Sequence, residues 1–119
     1  MKALVYTLFV TLVFFATTLH AGDAEEYAKC SVKVSWKRTN SEDCTVTVSV
    51  KNGSSKKLVD PTVRVTFYDK EGKELTSAAK AYFARIGKGQ TKRLEARIWS
   101  YVDTNAVEAK GTVEGGYLE

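Results

Sequence analysis

The stretch Cys44–Gly72, CTVTVSVKNGSSKKLVDPTVRVTFYDKEG, decides the fold. Val46, Val48 and Val50 alternate with Thr45, Thr47, Ser49 and Lys51, and a period of two turns one side of an extended strand toward a core and the other toward water. Val63, Val65 and Phe67 repeat the pattern against Thr62, Arg64, Thr66 and Tyr68. Between the two runs, Asn52-Gly53-Ser54-Ser55 is turn material, with Gly free to take positive φ and Asn and Ser able to bond the local backbone. Pro61, the sole proline, has no N–H and is expected at the entrance of the second run, not in a ladder. Asp69-Lys70-Glu71-Gly72 has Asp first and Gly last, as a type I turn prefers.

Upstream, Cys30, Val32, Val34 and Trp36 alternate with Ser31, Lys33 and Ser35, and residues 37–43 (KRTNSED) carry no apolar side chain, which marks a loop. Downstream, Leu75–Ile86 (LTSAAKAYFARI) is ambiguous. Its alanines favour helix on propensity, whereas the neighbouring strands and the GKG turn at 87–89 favour extended chain. We read it as extended, with Leu75, Tyr82 or Phe83, and Ile86 filling the core. Thr91–Trp99 alternates again, with Leu94, Ala96 and Ile98 assigned inward and Arg93, Glu95, Arg97 and Trp99 outward. Ser100–Asn105 leads to a last run, Val107, Ala109, Gly111 and Val113. Six or seven short strands separated by turns predict an all-β fold, a single antiparallel immunoglobulin-like β-sandwich over residues 30–115. Residues 22–29 are expected to form a loose N-terminal arm and residues 116–119 a frayed tail.

The chain opens MKALVYTLFVTLVFFATTLHA, with one basic residue at Lys2, an apolar run from Ala3 to Ala16 and a small residue at Ala21. That run is short for a membrane span, which takes about 20 apolar residues, and suits a cleaved signal peptide over residues 1–21. The rival is a retained N-terminal anchor. The expected address is exported, periplasmic or secreted, with no stable membrane insertion once the signal is removed. Removal would lower the formal net charge of +4 by the one unit of Lys2. Lys and Arg are interspersed with Asp and Glu, not clustered, so no nucleic-acid partner is expected.

Two cysteines in an exported chain suggest a disulfide between Cys30 and Cys44. Yet each opens its own apolar alternation, and in a simple hairpin the two would sit at opposite ends, about 20 Å apart, beyond the roughly 7 Å between Cα atoms that a bridge spans. Both readings, a bridge or two buried thiols, stay open. Asn52-Gly53-Ser54 also matches the N-glycosylation acceptor pattern.

Val65–Asp69, VTFYD, resembles the signature of the FxLYD domain family, with Val65 at its first position, Phe67 at its third, and Tyr68 and Asp69 matching. VSVKNGSS before it, DKEGKEL after it and RIGKGQTKRLEA further on look like that family's strand and turns, so the resemblance covers roughly Cys44–Ala96. It implies an immunoglobulin- or fibronectin-like sandwich in exported proteins, and it hands over no catalytic residue.

Chemistry is sparse. The one histidine is His20, inside the expected signal, which leaves no Ser-His-Asp arrangement in the mature chain and no metal-ligand set. No glycine-rich loop follows a strand and opens a helix, and no cofactor is expected. Aromatics assigned to polar faces near arginines, namely Tyr68, Trp99 and Tyr101 with Arg93 and Arg97, have the composition of interaction hot spots. The sequence thus predicts a small non-enzymatic module that binds an envelope or extracellular protein, or alternatively a small ligand or glycan.

Overall fold

The alternation in Cys44–Lys51 is realised in the structure, a computed structural model that describes residues 21–119. Cys44, Val46, Val48 and Val50 are all fully buried in strand β2 (Cys44–Lys51). The chain runs α1 (Ala21–Ala28), β1 (Ser31–Arg38), β2, β3 (Leu58–Tyr68), β4 (Glu74–Ala81), β5 (Arg85–Ile86), β6 (Thr91–Arg93), β7 (Arg97–Trp99) and β8 (Glu108–Leu118). The eight strands form one antiparallel sheet in the order β4-β3-β8-β1-β2-β6, with β5 on β3 and β7 on β2. The export-signal reading falls, apart from the backbone of Ala21, outside the described residues.

The sheet folds over where β8 meets β1, a contact recorded at the single pair Val32↔Gly111. A Cβ on Gly111 would lie 2.6 Å from Val32 Cγ1 and 3.0 Å from Val34 Cγ2, so only glycine lets β8 cross this close. The two halves then face each other. Phe67 of β3 meets the Trp36 ring of β1 edge to face at 5.2 Å, and the Trp99 indole of β7 donates to Ala78 O of β4 at 3.3 Å. The core is filled by the inward sides of β2 and β3 together with Tyr82, Ile86, Leu94, Trp99, Val102 and Val113.

Three expectations change and one open choice is decided. The N-terminal arm is a helix, held because the Tyr27 hydroxyl donates to Gly116 O at 2.8 Å and Glu26 accepts from Ser55 N at 2.8 Å. The last residues do not fray: β8 pairs with β3 to Leu58↔Leu118, and Glu119 exchanges backbone bonds with Lys57. The third strand begins three residues before Pro61, and the ladder shifts register between Val59 and Thr62. There Asp60 takes φ +48, its amide donates to Ala84 O, and Pro61 sits in the irregular step where no ladder N–H is required. Finally, Cys30 and Cys44 are free thiols. The register Val32↔Val50 through Arg38↔Cys44 puts them at opposite ends of the β1–β2 hairpin, which excludes the bridge.

Asn52, where β2 ends, is fully buried. Its side-chain amide donates to Lys56 O and Ile86 O, both at 2.8 Å, and its Oδ1 accepts from Ser54 N at 3.0 Å and Ser54 Oγ at 2.7 Å. Its backbone pairs with Gln90 O and Gly89 N. Both Nδ2 hydrogens are committed, so the folded protein offers no acceptor nitrogen for glycosylation.

Replacing Asn52 by Ala takes the side-chain donor from the buried Ile86 carbonyl and the acceptor from the Ser54 amide, and should cost about 2–4 kcal/mol in urea unfolding; a loss under about 0.5 kcal/mol would contradict this role. Glu26 has its carboxyl held down at about 2, mainly by the Ser55 amide and then by Lys29 and the Ser55 hydroxyl. A depressed folded value gives stability that is present above the ordinary carboxylate range and lost as pH falls through about 2. NMR of the Ser55 amide should therefore show the α1 contact intact at pH values above the ordinary carboxylate range and released only as pH approaches 2.

Candidate functional site

The surface expected from the sequence, Arg93, Arg97, Trp99, Tyr101 and Tyr68, is not one surface. Trp99 is 1% exposed, its indole bonded to Ala78 O and Lys80 Nζ 5.1 Å from its ring. Tyr68 lies on β3 in the other half of the sandwich, half-buried, with Lys110 Nζ 5.3 Å above its ring. Tyr101 is well exposed at φ +58, on a corner whose neighbours are pinned by Arg38, which donates to Val102 O and Asp103 O.

The error is a one-residue slip with a visible cause. Along β2, Ser49 pairs with Arg93 while Val46 pairs with Arg97, so the β6–β7 side carries one residue more than its partner. This bulge at Leu94–Ala96 reverses the alternation beyond it. Leu94 stays inside, Ile98 turns out, and Trp99 turns in.

Arg93, opposite Ser49, lies on the outer side of β6, whereas Arg97, opposite Val46, turns to the seam where the β6–β7 edge meets β4–β5. Arg97 donates to Ala81 O at 3.2 Å and to Glu95 at 3.3 Å, and its guanidinium lies 5.0 Å from the centre of the Tyr82 ring, a cation–π contact. Between Tyr82–Ala84 on one side and Lys92–Glu95 on the other lies an open cleft of ≈ 250 Å³. Phe83 stands at its lip, 93% exposed. Tyr82 forms its wall and is 2% exposed. Burial pushes the Tyr82 hydroxyl up, and among the described residues it is a buried polar atom with no partner.

Phe83 was missed as a surface residue because either neighbour, Tyr82 or Phe83, suited the core. The signal was present: Ile86, Ala84 and Tyr82 share one phase, which sends Phe83 outward. A larger hollow of ≈ 370 Å³ lies between the β3–β4 turn and residues 104–107, but the side chain that shapes it is already spent. Asp69 Oδ1 accepts from Glu71 N and Lys73 N at 2.9 Å, closing the turn that ends in Gly72 at φ +83.

Burial pushes both cysteine thiols up, so neither is poised as a thiolate nucleophile. Among the described residues no group of three His, Cys, Asp or Glu side chains is placed to hold a metal ion, and no helix is long and apolar enough to cross a membrane. The seam presents an exposed aromatic ring at Phe83 and a guanidinium held on the buried Tyr82 ring.

No protein-family model and no curated protein sequence matches the chain. Among solved structures it is similar to IrmA from Escherichia coli, at TM-score 0.49 and 18% identity over 75% of this chain and 80% of that one. It is also similar to a beta-glucuronidase from glycoside hydrolase family 2, at TM-score 0.38 and 11% identity over 71% of this chain but 11% of the enzyme. Neither likeness is strong enough to bear on function.

Truncating Trp99 to Ala should cost about 3–5 kcal/mol in chemical unfolding, as removal of a buried large aromatic does. Tyr101→Ala should stay within about 0.5 kcal/mol. Equal costs would contradict the assignment of one to the core and the other to the surface.

Proposed function

We propose that this chain is a small exported, non-enzymatic β-sandwich module that binds another envelope or extracellular protein through the cleft at the β4–β5/β6–β7 seam. The observation that carries the reading is Phe83. A phenylalanine left 93% exposed loses the stabilisation that burial of such a side chain brings, about 1.5–3 kcal/mol. It lines the cleft with Lys92, Arg93 and Glu95, and an aromatic anchor with an arginine at a cleft is the composition of binding hot spots. The Arg97–Tyr82 stack and the Arg97 bond to Ala81 O hold the base in one geometry, which lowers the ordering cost of association.

The export address rests on the pattern of residues 1–21, and the non-enzymatic reading on the lack of a histidine after His20. We carry membership of an FxLYD-like family as part of the proposal. It is supported by the division of labour within VTFYD: Val65 and Phe67 in the core, Tyr68 outward, and Asp69 closing the turn. One observation favours the alternative, a small ligand or glycan in the same cleft. Among the described residues the buried Tyr82 hydroxyl has no hydrogen-bond partner, and a polar ligand atom inserted into the cleft wall would supply one.

Affinity capture from native envelope or culture fluid, with the Phe83→Ala/Lys92→Ala variant as control, separates the two. A stoichiometric protein partner that is lost with the variant, while its stability stays within about 0.5 kcal/mol, supports the interaction module. No partner, together with thermal stabilisation by a saccharide that disappears in Tyr82→Phe, would replace it by the ligand-binding reading.

A further inference from the structure

We propose that the outer face of β1, β2 and β6, which shares only Arg93 with the seam cleft, docks an acidic polysaccharide through paired cations and hydroxyls. On β1 the exposed side chains are Ser31, Lys33, Ser35 and Lys37. On β2 the positions facing away from the core are Thr45, Thr47, Ser49 and Lys51. The register sets Lys33 opposite Ser49, Lys51 opposite Ser31, and Lys37 opposite Thr45. On the far side of β2 it sets Lys51 opposite Thr91 and Ser49 opposite Arg93. Each cation therefore faces a hydroxyl, on strands about 4.8 Å apart, and no carboxylate occurs at any of these positions. A lysine ammonium beside a serine or threonine hydroxyl is a two-point donor for a sulfate or carboxylate group. Ser31, Lys33, Ser49, Lys51 and Thr91 enclose a shallow hollow of ≈ 270 Å³, room for one such group and part of the sugar that bears it.

The other half of the sandwich shows what an unspecialised face does with the same composition. There Arg64 pairs with Glu114 at 2.8 Å and Lys110 with Glu108 at 3.4 Å. Among the described residues, Lys33, Lys37 and Lys51 take part in no ion pair. Their charges stay uncompensated on one flat surface, a field that concentrates anions.

The kind of polyanion follows from what the face lacks. It presents no aromatic platform for stacked bases, since Trp36 points inward onto Phe67, and single-stranded nucleic acid depends on such platforms. Among the described residues no helix lies on it to enter a groove of duplex DNA. β2 is paired on both sides, with β1 and with β6 and β7, so an acidic peptide would have to add at the outer edge of β1 or β6, beside the rows of cations and not across them. Anionic membrane surfaces are gripped most firmly when apolar side chains are buried as well, and these rows carry none. A chain of charged sugars needs only cations and hydroxyl donors, which is what the face supplies.

The test uses the full protein and a size-defined heparin fragment as the sulfated probe, with dextran, a single-stranded oligonucleotide and phosphatidylserine vesicles as competitors. Heparin should bind at about 50 mM salt and weaken steeply by about 200 mM, as charge-driven binding does. Lys33→Gln/Lys37→Gln/Lys51→Gln should lower its affinity at least about ten-fold, while Lys56→Gln/Lys70→Gln/Lys73→Gln, with the same loss of charge in exposed loops, should change it less than about two-fold. Amide shifts in the unmodified protein should centre on Ser31–Lys37 and Ser49–Lys51, independently of how the variants fold. The proposal is overturned by absence of heparin binding at the lower salt, by equal losses in the two variants, by shifts elsewhere, or by tighter binding of the oligonucleotide or the vesicles. Phe83 and Lys92 are untouched in these variants, so failure here leaves the seam cleft standing.

Discussion

The buried amide of Asn52 is the constraint on which the rest of the sandwich depends. The β2 alternation drives four side chains into the core and then has to stop, release the chain into a turn, and start β3 in the other half of the fold. Asn52 does this with one side chain: it reaches Lys56 O in the turn and Ile86 O in β5, while its backbone holds Gly89 and Gln90 at the start of β6. Ser54 closes on its oxygen, and Glu26 from α1 caps the same turn at Ser55. A buried polar group with every bond made fixes a unique geometry, and with one partner missing it costs more than it gave. Apolar burial supplies most of the driving force, and this knot supplies the register in which the halves meet.

Period-two alternation was enough to place β1, β2, β3 and the inward side of each, because side chains on a strand have only two directions to take. It placed the two cysteines at the start of separate alternations but left their pairing open, and the β1–β2 register then set them at opposite ends of the hairpin. Irregular steps are where sequence reading failed. The bulge at Leu94–Ala96 adds one residue, exchanging Ile98 with Trp99, and nothing local in KRLEARIW announces it. Asp60 and Pro61 bend β3 by a similar device, tolerated because Gly116 opposite takes φ +131 with Val59 O 3.0 Å from where its Cβ would be. The order of the ends was hidden for another reason. Tyr27 and Gly116 are 89 residues apart, so a contact between α1 and β8 leaves no periodic trace.

The sequence placed some of the seam's side chains and displaced others. Arg93 keeps the outward face read from the alternation, whereas the bulge turns Arg97 onto Tyr82 and Trp99 into the core, and Phe83 is the exposed ring. The bulge accounts for both features of the seam. By turning Trp99 inward, it brings the indole to Ala78 and ties β7 to β4, and it leaves Arg97 lying on Tyr82. The cleft and the cationic face divide the molecule's outward chemistry between them, one an aromatic lip with mixed charge, the other a flat array of cations and hydroxyls.

Native-state hydrogen exchange of the Asn52 knot tests this account most directly. If the amide of Asn52 fixes how the two halves meet, the Asn52, Ser54 and Gly89 backbone amides should exchange only through global unfolding, with the same denaturant dependence as Val48 and Val50 in β2. Exchange of these three amides by local opening, insensitive to denaturant while β2 remains protected, would show that the knot is a consequence of the sandwich and not the constraint that organises it.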